Sequence, residues 1–158
     1  MDLSQLKWLK NVHNKDVDWV YKLNEMPIPE ARVFLLHWQN DKINAQKALE
    51  GDLMVLVQSA RATHVVELLN NVVYIDPNKK EWGIYRLVQT VWMPPEGMDW
   101  SKLPHQKEIF GIDALAQDGD AHVLNRTDRM PNFNLYWNNL GGLQGFQKHL
   151  EKILTQIS

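Results

Sequence analysis

Between residues 32 and 92 the chain carries a succession of short apolar segments, each of strand length and each closed by a turn signal. This punctuation restricts the possible folds more than any other feature. Residues 32–38 (RVFLLHW) form a near-continuous apolar run, as expected of a strand covered on both faces. Residues 53–58 (LMVLVQ), 63–69 (THVVELL), 72–75 (VVYI) and 83–92 (GIYRLVQTVW) follow. Ser59-Ala60-Arg61, Asn70-Asn71 and Asp76-Pro77-Asn78 separate them as turns. Residues 44–50 read as one or two helical turns, and Gly51-Asp52 breaks the chain before the next strand. In the last run Ile84, Leu87 and Val88 depart from strict alternation, which implies a bulge or a fully buried stretch. Five strands in so short a span predict an α+β fold built on a small, strongly curved, mostly antiparallel β-barrel.

The flanks read as helical. Leu3, Leu6, Leu9 and Val12 recur at helical spacing, and Val17, Val20 and Tyr21 repeat the pattern with Asp16 as cap. Met26-Pro27-Ile28-Pro29 ends the second helix, because proline lacks an amide donor and drives its predecessor towards extended geometry. At the other end Leu143, Phe146, Leu150, Ile153, Leu154 and Ile157 form one apolar stripe of a docked helix. The expected layout is a single domain over 1–158. It has two helices over 1–30, barrel strands over 31–95, an irregular segment over 96–140 and a C-terminal amphipathic helix over 141–158. Within the irregular segment, 107–116 is read as short helix or strand and 126–134 as an ordered surface loop.

Composition removes several classes of function. The chain has no cysteine, which excludes disulfides, thiolate metal sites and a cysteine nucleophile. A net charge of −2 argues against a strongly basic, non-specific nucleic-acid binder. The longest apolar run, residues 53–57, is far below the ~20 residues of a membrane-spanning helix, and no signal peptide is evident. A cytoplasmic protein without membrane partners is expected. No phosphate-binding glycine loop, GxSxG elbow or HExxH helix is present, and none of the six histidines lies three or four residues from another. Asp118-Gly119-Asp120 resembles the start of a calcium loop, but the later ligands of such a loop are missing, so it reads as a solvated turn. No metal, cofactor or catalytic residue is expected.

Seven tryptophans against four phenylalanines are unusual for core packing alone. Trp38 ends the first core strand, Trp82 precedes the last, Trp92 ends it, and Trp100 and Trp137 follow in the irregular segments. Strand ends and the loops beyond them form the mouth of a small barrel, where several π faces can hold a flat or cationic guest. Polar residues beside them can read the edge of such a guest. The candidate ligand-binding set is Trp38, His37, Gln39, Ser59, Arg61, Trp82, Trp92 and Trp100, with Asn40 nearby. Trp8 and Trp19 read as packing residues.

RVFLLHW, the short helix, LEGDLMVLVQSARATHVVELL and EWGIYRLVQTVWMPP together resemble the PUA-like superfamily, especially its EVE and YTH branches. In that resemblance Gly51-Asp52 matches the turn before a core strand, Trp38 the first-strand aromatic and residues 59–63 the loop near the pocket. The likeness covers residues 31–95. It implies a curved barrel that reads modified bases in DNA or RNA. The expected function is therefore a non-enzymatic binding module. Arg32, Lys42, Lys47, Arg61, Lys79, Lys80 and Arg86 would contact the adjoining strand. The alternatives are an interaction domain of a larger phage, defence or regulatory assembly, anchored by exposed tryptophans, and a small nucleotide-directed hydrolase, which requires Asp, Glu or His to converge in one pocket.

Overall fold

The computed structural model describes residues 1–12, 19–112, 118–126 and 128–157. Seven strands form one curled, mostly antiparallel half-barrel: β1 (Leu6–Asn11), β2 (Val33–Trp38), β3 (Leu53–Gln58), β4 (Arg61–Leu68), β5 (Tyr74–Ile75), β6 (Ile84–Trp92) and β7 (Ala121–Val123). The order is β2-β6-β4-β3-β1-β7, with the short β5 added beside β6. All pairs are antiparallel except β1 with β3. Four α-helices accompany the sheet: α1 (Lys42–Lys47), α2 (Gln106–Phe110), α3 (Pro131–Trp137) and α4 (Gly142–Ile157).

The five central strands lie close to their sequence-derived positions, whereas the N-terminal reading is overturned. Leu6–Asn11 is a strand rather than a helix, paired on one side with β3 and on the other with β7. The register of β1 against β3 slips between Leu6 and Trp8. That irregularity inserts a residue and places Leu6 and Leu9 on the same face at a spacing of three, which imitates a helical period. Asp16 and Val17 of the second expected helix lie outside the described residues; downstream, Leu23–Glu25 and Pro29–Ala31 are single turns of 3-10 helix. The sheet is thus not confined to residues 31–95. The segment read as irregular contributes α2, β7 and α3, and residues 131–134, read as loop, open α3.

Alternation along the strands divides the apolar residues between two cores. On the outer face Leu53, Val55, Val57, Ala62, Val65 and Trp92 pack under α2, α3 and α4. The stripe of α4 supplies Phe146, Leu150 and Leu154, so the C-terminal helix docks as its pattern requires. On the concave face Trp8, Phe34, Leu36, Trp38, Met54, Leu56, Val66, Leu68 and Val88 fill the half-barrel. A bulge in β6 sets this division: Val65 and Val66 pair with Trp92 and Thr90, so Val91 is extra. The step transfers Trp92 to the outer core while Val88 stays inside.

Two polar side chains fasten the half-barrel. Arg86 is fully buried and donates from Nη1 to the carbonyls of Ala45 (2.7 Å) and Ala48 (2.6 Å), and from Nη2 to Asn70 (2.7 Å). It meets the carbonyl end of α1, where a cation is favoured, and is therefore not available to a nucleic-acid strand. Asp52, after the left-handed Gly51, accepts from Trp8 Nε1 (2.9 Å) and the Leu49 amide (3.0 Å) and pairs with Lys7 (3.1 Å). Burial pushes its carboxyl up, but these donors and the lysine charge prevail and hold it below the ordinary value.

Candidate functional site

The eight candidate residues do not meet in one place. Trp38 points into the concave core with 0% exposure and donates from Nε1 to Asn44 Oδ1 at 2.8 Å. Trp92 is 3% exposed on the opposite face of the sheet, and its Nε1 has no hydrogen-bond partner among the described residues. Trp38 is closed to a guest, and Trp92 borders a hollow beside Arg32 with almost none of its surface exposed, which corrects their reading as pocket walls.

His37, Gln39 and Trp82 do come together, outside the barrel. The His37 and Trp82 rings meet edge to face at 5.2 Å, and the Trp82 amide donates to the Gln39 carbonyl at 2.7 Å. Trp82 holds a left-handed φ of 63°, uncommon for a bulky residue and costing about 1–3 kcal/mol. Burial, then the charges of Lys10 and Lys79, pull the His37 imidazole down to about 4, so it is neutral at ordinary pH.

Ser59, Arg61 and Trp100 gather at the other end. Ser59 and Ala60 both have positive φ (48° and 65°) and make the two-residue turn from β3 to β4. Arg61 donates to the Leu103 carbonyl at 2.6 Å, which ties the 3-10 turn Trp100–Lys102 to the sheet. Trp100 is half-buried and meets Trp19 edge-on, with centroids 5.2 Å apart and planes at 76°.

Trp19, a packing residue by its sequence pattern, instead lines a concave aromatic site. A cleft of about 230 Å³ lies between Trp19, Tyr21 and Lys22 on one wall and Met93, Pro94 and Pro95 on the other. The strand β6 ends at Trp92, and the two prolines that follow fix their own φ and donate no hydrogen bonds, so the wall is rigid and apolar. Tyr21 is anchored by its hydroxyl, which accepts the His37 amide at 3.1 Å, and by its ring, tilted against Phe34 at 4.5 Å. Burial raises the Tyr21 hydroxyl above its ordinary range, against the opposing hydrogen bond from the His37 amide and with a smaller push from Tyr85, so it stays protonated. A second hollow of about 410 Å³ continues past residues 93–96 to Arg32, itself exposed at a left-handed φ of 54°.

Behind the cleft sits His64, 1% exposed on β4, its ring 6.1 Å from Trp19 and 6.2 Å from Tyr21. Nδ1 lies 2.9 Å from Thr63 Oγ1. Among the described residues Nε2 has no well-formed hydrogen bond, although the Tyr21 backbone offsets a little of the burial that brings the imidazole down to about 4. One sequence signal was available for this site: an aromatic pair, Trp19 and Tyr21, just ahead of the proline-broken segment, with Pro94-Pro95 at the close of the last strand.

A third cluster lines the seam between α1 and β7. Asp118 Oδ1 lies 2.8 Å from His122 Nε2, and Asp41, Asp120 and Asn44 share a small polar cavity of about 120 Å³ with them. Among the described residues no group of His, Asp and Glu could hold a metal ion, and no helix is long and apolar enough to cross a membrane. Comparison with protein-family models, with curated proteins and with solved structures gives no match.

Proposed function

We propose that this protein is a non-enzymatic binding module whose aromatic cleft takes a flat guest, in the manner of a PUA-like reader: a modified nucleobase presented by a single strand of DNA or RNA. The observation that carries this reading is the open cleft between Trp19 and Tyr21 on one side and Met93-Pro94-Pro95 on the other, with Trp100 buttressing Trp19 edge-on. A base stacked on an indole gains ~1–3 kcal/mol, and every base offers a π face. Lys22 in the cleft and Arg32 in the adjoining hollow place positive charge where the phosphates flanking a stacked base would run.

Tryptophan emission should be quenched by short oligonucleotides carrying a modified base and less by unmodified ones. Trp19→Ala should weaken binding by ~1–3 kcal/mol, roughly 5- to 150-fold, while Gln39→Ala, outside the cleft, should leave it unchanged. Absence of quenching by any oligonucleotide, or equal loss in both variants, overturns the reading.

One observation favours a second reading, a protein-interaction domain. Leu135 is 73% exposed on α3, with Tyr136 and Leu140 exposed beside it. Exposed apolar residues so grouped are typical of an interface. Absence of quenching by any oligonucleotide, combined with a stable oligomer in sedimentation that Leu135→Ala disrupts, would select it.

A further inference from the structure

The half-barrel is closed on one side by a single amide. Among the described pairings β2 and β7 are edge strands, each hydrogen-bonded to one neighbour. Between them stands Asn44 of α1, only 7% exposed. Its Oδ1 accepts from Trp38 Nε1 of β2 at 2.8 Å and from the Ala121 amide of β7 at 2.7 Å, while its Nδ2 donates to the Ala121 carbonyl at 2.8 Å. One side chain therefore offers β7 the donor and acceptor that a neighbouring strand would supply.

Charged groups surround this joint. Asp41, the N-cap of α1, accepts the Asn44 amide at 2.9 Å and lines the same small cavity as Asp120 across the seam. Two carboxyl groups so placed can share a hydrogen bond only when one carries a proton. Facing Asp120 are Asp118 and His122 from its own segment, Lys47 from α1, Arg126 and Arg129 from the chain beyond β7, and Lys10 from β1, whose ammonium donates to the Gly119 carbonyl. The small polar cavity against the seam gives water a place to enter when the shared proton leaves.

We infer that the Asp41–Asp120 pair is a proton-operated latch on β7: protonated, it joins α1 to the edge strand; ionised, it sets carboxylates against one another and loosens residues 118–126 from the half-barrel. Burial first, then the hydrogen bond and charge of Asp41, and then the charge of Asp118 push the Asp120 carboxyl up to about 6, with His122 opposing. The sign is that of an acid whose folded value is raised. The stabilisation is complete below the ordinary carboxylate range and is lost as pH rises through about 6. This device is independent of the aromatic cleft.

Amide hydrogen exchange of the full chain between pH 5 and 7.5, corrected for intrinsic rates, tests it. Protection of the Ala121 amide should fall by at most about ten-fold over this range, the part of the shift that the window spans, and by less where solvent screens Asp120. Protection within the β3–β4 pair should stay constant. Asp120→Asn, which keeps a donor towards Asp41 without a titrating group, should abolish the change. A flat wild-type profile, or an equal fall in Asp120→Asn, overturns the latch. If that variant does not fold, the carboxyl carbon resonance of Asp120 in the wild type decides. Titration near 6 together with the Ala121 amide supports the inference, and titration at the ordinary carboxylate value refutes it.

Discussion

The imidazole of His64 is enclosed by Trp19, Tyr21 and Phe34, so charging it inside the fold is costly. A histidine whose folded value is depressed to about 4 binds its proton more weakly than in the unfolded chain. Stability is therefore lost as pH falls from about 6.5 towards about 4, by on the order of 3 kcal/mol for this one group. Denaturant unfolding at pH 7 and pH 4.5 should show that loss in the wild type and a much smaller one in His64→Leu; equal losses would clear His64 of the acid limb. This trend opposes that of Asp120, which is why the latch is read locally at β7 rather than from global stability. At this scale the sequence showed residue type but not environment. Trp38 and Trp92 both stand at strand ends, yet one faces the concave core and the other the helices. The β6 bulge decides which, and its position depends on the pairing of Val65 and Val66.

Among the elements, the β3–β4 hairpin carries an avoidable local cost. Ser59 and Ala60 occupy a two-residue turn in which both positions have positive φ, the geometry for which Asn-Gly is favoured. Ser59→Asn with Ala60→Gly should stabilise the protein by about 1 kcal/mol and raise Tm by ~2–4 °C. A thermal scan that shows no rise would mean that Ser59 or Ala60 makes contacts that offset the strain. The hairpin itself was legible because Leu53–Gln58 and Arg61–Leu68 are apolar runs of strand length and a turn divides them. The strand β1 was not. Its irregular register lets Leu6 and Leu9, three positions apart, share one face, and a one-dimensional pattern cannot separate that from a helix. The three-residue β7 is also too short to show any period; it exists because β1 offers an edge to pair with.

For the molecule as a whole, a net charge of −2 sets how ligand binding responds to salt. If Lys22 and Arg32 with one further cation meet the strand, binding to single-stranded oligonucleotide should fall with log salt at a slope of about −2. A slope steeper than about −5 in a salt titration would mean that a different, more basic surface does the binding. Arg86, counted among the contacting cations in the sequence, cannot contribute, since its charge is spent on the carbonyls of α1 and of Asn70.

The order of the central strands, the turns between them and the docking face of α4 were determined by the sequence alone, because hydrophobic period and turn chemistry act over neighbouring residues. Which face each tryptophan takes, the recruitment of Leu6–Asn11 and Ala121–Val123 to the sheet, the Trp19–Trp100 corner and the Asn44 joint were decided only by the tertiary structure. Each depends on register and on contacts between residues more than twenty positions apart, and no local pattern in the chain encodes those distances.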